Sequence, residues 1–120
     1  MPNPAKGHRI DLVFPEQTVT VRIDGTQVAK SSRPLALFET GLPVRYYLPP
    51  EDVDLTLFRP SVTHTTCPFK GEASYWSFGD RADVAWYYPE PIDSVAPIAG
   101  YVCFYDTVAE LSVEGELPER

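Results

Sequence analysis

Cys67 stands between Thr66 and Pro68, with Lys70 three positions ahead of it and His64 three behind. A neighbouring cation lowers a thiol's pKa and enlarges its thiolate fraction, the nucleophilic form. The spacing therefore offers an enzyme in which Cys67 or Lys70 is nucleophile or base, tuned by Glu39 or Glu72. The plainer reading of Cys67 is a small apolar side chain buried near a turn, the usual state of a free cysteine. Lys70 is followed by Gly71, but the upstream glycine of a phosphate loop is missing and no helix is predicted to follow. Lys70 is left as a point charge for a ligand carboxylate, or as the surface partner of Glu39 or Glu72.

Other constellations are weaker. His64 and Cys67 have a ligand-like spacing that Cys103 and His8 could complete, yet no second local pair supports a metal centre, and none is expected. With two histidines and no Gly-x-Ser-x-Gly elbow, a nucleophilic serine has no support. Glu39 and Arg45 flank Gly41, Leu42 and Pro43, so a hairpin would bring them together, as a surface ion pair or at the polar end of a pocket. Tyr46, Tyr47, Tyr75, Trp76, Trp86, Tyr87, Tyr88 and Tyr105 are the main aromatic resource. Alternation along a strand sends neighbours to opposite faces, so about half of them face a core or a pocket. Rings with polar tips suit a concave small-molecule site, and they equally suit ordinary core packing.

These residues sit on or between short strands. Residues 18–23 alternate Val19, Val21 and Ile23 against Thr20 and Arg22, the period-two signature of a half-buried strand. Asp24 and Gly25 make the turn, and 27–31 return. Residues 35–39 and 44–48 form a second hairpin, ended by Pro49 and Pro50. A single helical turn is predicted at 50–53, then a strand to Arg59. Residues 59–71, dense in turn formers and hydroxyl side chains, read as the longest irregular segment, the kind that most often carries function. Strands at 73–78 and 84–88 flank Gly79 and Asp80, a short helical turn is predicted within 93–98, and strands at 101–105 and 109–113 complete the pattern.

The 120 residues are enough for one hydrophobic core, and 43% hydrophobic with 22% charged residues is a globular balance. Thirteen prolines favour many short elements. A formal charge of −7, with basic residues scattered singly, argues against nucleic acid and anionic membranes as partners. No apolar stretch resembles a signal-peptide core or a membrane span, so the default location is the cytoplasm, where Cys67 and Cys103 stay as free thiols.

Three stretches carry a resemblance: Glu39, Thr40, Gly41, Leu42, Pro43, Val44, Arg45, Tyr46, Tyr47, Leu48 and Pro49; then Cys67, Pro68, Lys70, Gly71, Ala73 and Tyr75 in a Cys-Pro-x-Lys-Gly-x-Ala-x-Tyr pattern; then Ile98, Ala99, Gly100, Tyr101, Val102, Cys103, Phe104 and Tyr105. In order and spacing they resemble the domain of unknown function 427 family over roughly residues 8–115. The resemblance implies two antiparallel sheets in a tent-like arrangement with a pocket between them, and no known reaction. Some members carry a nucleotidyltransferase label. That chemistry wants a Gly-Ser turn before a magnesium-binding Asp-x-Asp pair, and Asp52 and Asp54 have the spacing without the turn. Tent-like relatives with zinc use two Cys-x-x-Cys pairs, and this chain has neither.

The expectation is one all-β domain over residues 8–115: two packed antiparallel sheets, a sandwich or partly open barrel, with one or two single-turn helices between tails at 1–7 and 116–120. Its first-choice function is binding of a small molecule between the sheets by Glu39, Arg45, Tyr47, Cys67, Lys70, Tyr75 and Trp86, with no cofactor. The alternatives are the Cys67 or Lys70 enzyme and a non-catalytic protein-interaction module. Oligomeric state is not legible.

Overall fold

A computed structural model describes residues 8–117. Residues 1–7 and 118–120, which hold most of the two expected tails, lie outside the described residues. The strands are β1 (Ile10–Val13), β2 (Thr18–Ile23), β3 (Thr26–Ser31), β4 (Leu35–Glu39), β5 (Arg45–Leu48), β6 (Arg59–Cys67), β7 (Gly71–Phe78), β8 (Arg81–Tyr87), β9 (Val102–Phe104) and β10 (Glu110–Glu114). They form two antiparallel sheets, seven strands in the order β1-β4-β5-β9-β8-β7-β6 and three in the order β10-β2-β3. The all-β, two-sheet expectation is met, and the larger sheet runs from β1 to β6 without closing into a barrel. Short 3₁₀ segments lie at Pro50–Asp52, Leu55–Leu57 and Asp93–Ile98. No helix among the described residues is long and apolar enough to cross a membrane.

The period-two patterns explain how the sheets pack. Val19, Val21 and Ile23 of β2 and Val28 and Ala29 of β3 meet Leu48, Val84, Ala85, Val102 and Phe104 of the larger sheet, and this core fills the space between the two sheets. The other face of the larger sheet carries a second buried cluster, Leu35, Leu37, Tyr47, Ala73, Tyr75, Trp86, Tyr88 and Cys103. Val95 and Ile98 of the 3₁₀ segment at Asp93–Ile98 join that cluster. Where strands are buried on both faces, neighbouring residues such as Tyr47 and Leu48 serve different cores.

Turn chemistry follows the sequence. Asp24 and Gly25 both have positive φ, as the tight β2–β3 hairpin requires. Arg81, at the β7–β8 turn, donates two hydrogen bonds of 2.9 and 2.8 Å to the Asp24 carboxylate. These bonds hold the Asp24 carboxyl below the usual carboxylate range and tie the hairpin tips of the two sheets together.

Three readings need correction. The strand predicted up to Arg59 is a 3₁₀ turn at Leu55–Leu57, because the Asp54 carboxylate accepts from the Thr56 backbone N–H and caps it. The segment 59–71, read as irregular, is largely the nine-residue strand β6. As an edge strand β6 buries no face, and Val62 is 96% exposed, so no alternating apolar signal marks it. Pro60 is tolerated because an edge strand can leave its outward side unpaired. Asp83 holds this edge in place: it accepts hydrogen bonds from the Ser61 and Thr63 hydroxyls while its own N–H donates to Ser77 Oγ. Strand β1 was not foreseen either, since its four residues gain their conformation only by pairing with β4.

Candidate functional site

Strand register, rather than chain proximity, assembles the site. Leu35 pairs with Tyr47, Tyr47 with Cys103, Cys103 with Trp86, and Trp86 with Tyr75. Directly paired residues point to the same face, so these side chains form one row across β4, β5, β9, β8 and β7. Two positions from Trp86 and Cys103, alternation adds Tyr88 and Tyr105 to that face. Glu39 and Arg45 stand at the neighbouring ends of β4 and β5.

The row floors a cavity of about 240 Å³, lined by Leu37, Glu39, Leu42, Arg45, Tyr47, Lys70, Tyr75, Trp86, Tyr88 and Tyr105. The expected pocket between the sheets is corrected here. No residue of β2, β3 or β10 lines this cavity, because the apolar core of Val, Leu, Ile, Ala and Phe104 occupies the space between the sheets behind it. The cavity opens on the opposite, outer face of the seven-stranded sheet.

Its polar end is a chain of contacts. Lys70 Nζ donates to Glu39 Oε1 at 2.7 Å and lies 3.5 Å from Cys67 Sγ. Glu39 Oε2 is 2.9 Å from His8 Nε2, and the His8 ring stacks on Phe69 with centroids 3.9 Å apart. The side chains of Lys70 and Glu39 are only 10% and 7% exposed, so this is a buried pair. In strand order, β4 and the β6–β7 turn are far apart. Their contact through Glu39 and Lys70 shows that the larger sheet curls enough to bring the β6–β7 turn over the end of β4 at the cavity.

The turn that presents Lys70 is held from both sides. Its N–H donates to the Cys67 carbonyl, and its carbonyl accepts from Ile92 N–H at 2.9 Å. Gly71 has φ of +123°, and a Cβ there would come within 3.3 Å of the Glu90 carbonyl oxygen. Gly71→Ala is therefore expected to lower stability by about 1–3 kcal/mol in urea unfolding, from backbone strain and the displaced 90–92 segment. A loss below about 0.5 kcal/mol, the scale of neutral surface changes, would show that the turn adapts freely.

At the aromatic floor, Trp86 Nε1 donates to the Tyr47 hydroxyl at 3.2 Å and the two rings meet edge to face. The Arg45 guanidinium lies 5.6 Å from the Trp86 ring centre, within cation–π range. The Tyr75 hydroxyl is 2.8 Å from Thr65 Oγ1. Burial pushes the Tyr47 and Tyr88 phenols well above their ordinary range, and burial with the adjacent Tyr75 hydroxyl lifts Tyr105 to about 12. Burial also raises the Cys103 thiol far above a free cysteine, which makes it inert at neutral pH.

Six of the seven residues singled out from sequence, Glu39, Arg45, Tyr47, Lys70, Tyr75 and Trp86, line this one cavity. Cys67 does not line it and sits behind Lys70 instead. Lys70 takes Glu39 rather than Glu72 as partner, and the expected Glu39–Arg45 pair does not form. Arg45 faces Asp106 at 3.9 Å instead. His64 lies 3.2 Å from Ser74 Oγ, while Thr65 and Cys67 turn to the opposite side of β6, so the spacing of His64 and Cys67 brings no ligands together. Among the described residues no three His, Cys, Asp or Glu side chains are grouped to hold a metal ion. Asp52 accepts from Ser31 Oγ and Asp54 caps its turn, both away from the cavity lining. Alternation from Trp86 and Cys103 could have marked Tyr88 and Tyr105 in advance. No local signal could have joined His8 to Glu39, thirty-one positions away.

No curated protein matches this sequence. A profile of the family described as a domain of unknown function, DUF427, matches residues 12–115, a span that holds all ten strands but the first two residues of β1. The Cys67–Tyr75 motif and both halves of the cavity fall inside that span, and the chain belongs to the DUF427 family.

Proposed function

We propose that this domain binds a small molecule in the cavity on the outer face of its seven-stranded sheet. One observation carries the reading: a buried Lys70–Glu39 ion pair opens onto a space walled by Tyr47, Tyr75, Trp86 and Tyr88. A charge pair held out of solvent is costly to desolvate and is a weak source of stability. Apolar walls with a few convergent polar groups are what binding sites for small molecules share. At about 240 Å³ the cavity falls below the ~300–1,000 Å³ of drug-sized sites, so its occupant is a fragment-sized metabolite.

The two tryptophans make the test internal. Trp86 lines the cavity, whereas Trp76 stacks on Tyr87 and packs towards the core between the sheets. In a metabolite screen by ¹H–¹⁵N NMR, binding compounds are expected to move the Trp86 indole signal and leave that of Trp76 in place. Hits that move Trp76 or scattered surface amides instead, or a panel without hits, would count against the cavity.

A second reading rests on the 3.5 Å approach of Lys70 Nζ to Cys67 Sγ, which places a cation beside the thiol of an enzyme acting through Cys67. It predicts that Cys67→Ser binds the same compounds and loses their turnover.

A further inference from the structure

Resting on that reading, we propose that the cavity selects a small aromatic carboxylate, held with its anionic head toward Arg45, Lys70, Tyr47 and Tyr88. The polar groups still available in the cavity are mostly donors. The Tyr47 oxygen accepts from Trp86 Nε1, and its own proton has no acceptor among the described residues. The Tyr88 hydroxyl has no hydrogen bond within the described residues, yet it is not among sealed, unsatisfied atoms, so it meets the cavity. Both phenols are protonated at neutral pH, as any tyrosine is, and so can donate.

The charges point the same way. Lys70 uses two of its three N–H groups on Glu39 and Cys67 and has one to offer. Besides its cation–π contact with Trp86, Arg45 has among the described residues only the loose 3.9 Å contact to the exposed Asp106, which leaves guanidinium donors to offer. Each Glu39 oxygen is already engaged, one by Lys70 and one by His8. The lining itself carries two cations, Arg45 and Lys70, and one carboxylate, Glu39, a local net charge of one positive that the solvent-exposed Asp106 carboxylate 3.9 Å from Arg45 offsets only in part, in a protein whose formal charge is −7. One positive charge matches a monoanion. A phosphate near two negative charges would be repelled by Glu39. The planar fork of Arg45 fits a carboxylate, and the rings of Trp86 and Tyr105, tilted against each other with centroids 4.4 Å apart, wall the space beside it for an aromatic body.

The test compares shape-matched probes by titrating the Trp86 indole signal at pH 7 and low salt: benzoate and phenylacetate, their amides, benzylamine, and phenyl phosphate. The carboxylates are expected to bind about tenfold or more tighter than the amides, the scale of a charge-assisted hydrogen bond. Tyr88→Phe removes a hydroxyl with no partner among the described residues, so the fold is kept, and it should weaken the carboxylates several-fold and the amides less, since a neutral carbonyl accepts a weaker hydrogen bond than a carboxylate. Arg45→Gln should bring the carboxylate-to-amide ratio close to one. Amides or benzylamine binding as tightly as the carboxylates would overturn the inference and leave the cavity reading intact. Tighter binding of phenyl phosphate would overturn the choice of carboxylate. Absence of any Trp86 shift with every probe would overturn both.

Discussion

Lys70→Met is expected to destabilise the domain by about 3–5 kcal/mol, because it leaves the Glu39 carboxylate buried with His8 as its remaining partner. In a domain this size that lowers the melting temperature by roughly 10–20 °C. The double change Lys70→Met with Glu39→Leu removes both charges at once. Replacing a whole buried pair by apolar side chains is often neutral or stabilising, so the double variant should recover to within about 1 kcal/mol of the parent. Denaturant unfolding of the two single variants and the double variant measures the coupling directly. A Lys70→Met loss under about 1 kcal/mol, the range of exposed pairs, would mean that water reaches this pair freely and that the cavity's polar end is open surface. The same cycle separates folding from function: if the double variant is stable yet no longer moves Trp86 with any compound, the pair serves the site.

Alkaline pH should weaken the fold steeply, and the largest share is traceable to Cys103. Its thiol is fully buried and stays neutral in the native state, whereas in the unfolded chain it ionises above about pH 8.5. The unfolded state then binds fewer protons than the native one, so stability falls as pH rises, by about 1.4 kcal/mol per pH unit. Cys103 therefore costs stability from about pH 8.5 upward, and Tyr47 adds a further loss above about pH 10, where an unfolded phenol ionises. Cys103→Ala carries its own cost from the vacated volume, but that cost does not vary with pH. The expected readout is therefore the slope: unfolding free energy against pH between 9 and 10 should flatten by about one proton's worth in the variant. An unchanged slope would show that Cys103 is reached by hydroxide in the native state.

The site and the fold were legible to different depths. Alternation located β2 to the residue, and a short apolar run stopped by Gly41 and Pro43 located β4. It failed at β6, whose exposed edge carries no such face, and at β1, where four residues owe their conformation to β4. Residue types that do chemistry identified Glu39, Arg45, Lys70 and the aromatic set, since charged groups beside aromatics are uncommon in plain core. Their partners were not readable. Local hairpin logic joined Glu39 to Arg45, but the register of β4 on β5 sets Arg45 opposite Leu37, and sheet curl delivers Lys70 to Glu39.

By itself the sequence determined the class of fold, the free thiols, most strand positions and which side chains could serve a polar-ended aromatic site, because these depend on local periodicity, turn residues and composition. The tertiary structure alone decided that the cavity lies outside the two-sheet core, that Tyr47, Cys103, Trp86 and Tyr75 stand in one row, and that His8 and Lys70 share Glu39. The physical reason is that β5 and β9, like β1 and β4, are neighbours in space and not in order. Pairing between strands distant in the chain is set by how both faces of the large sheet bury their side chains at once, and no single segment encodes that condition.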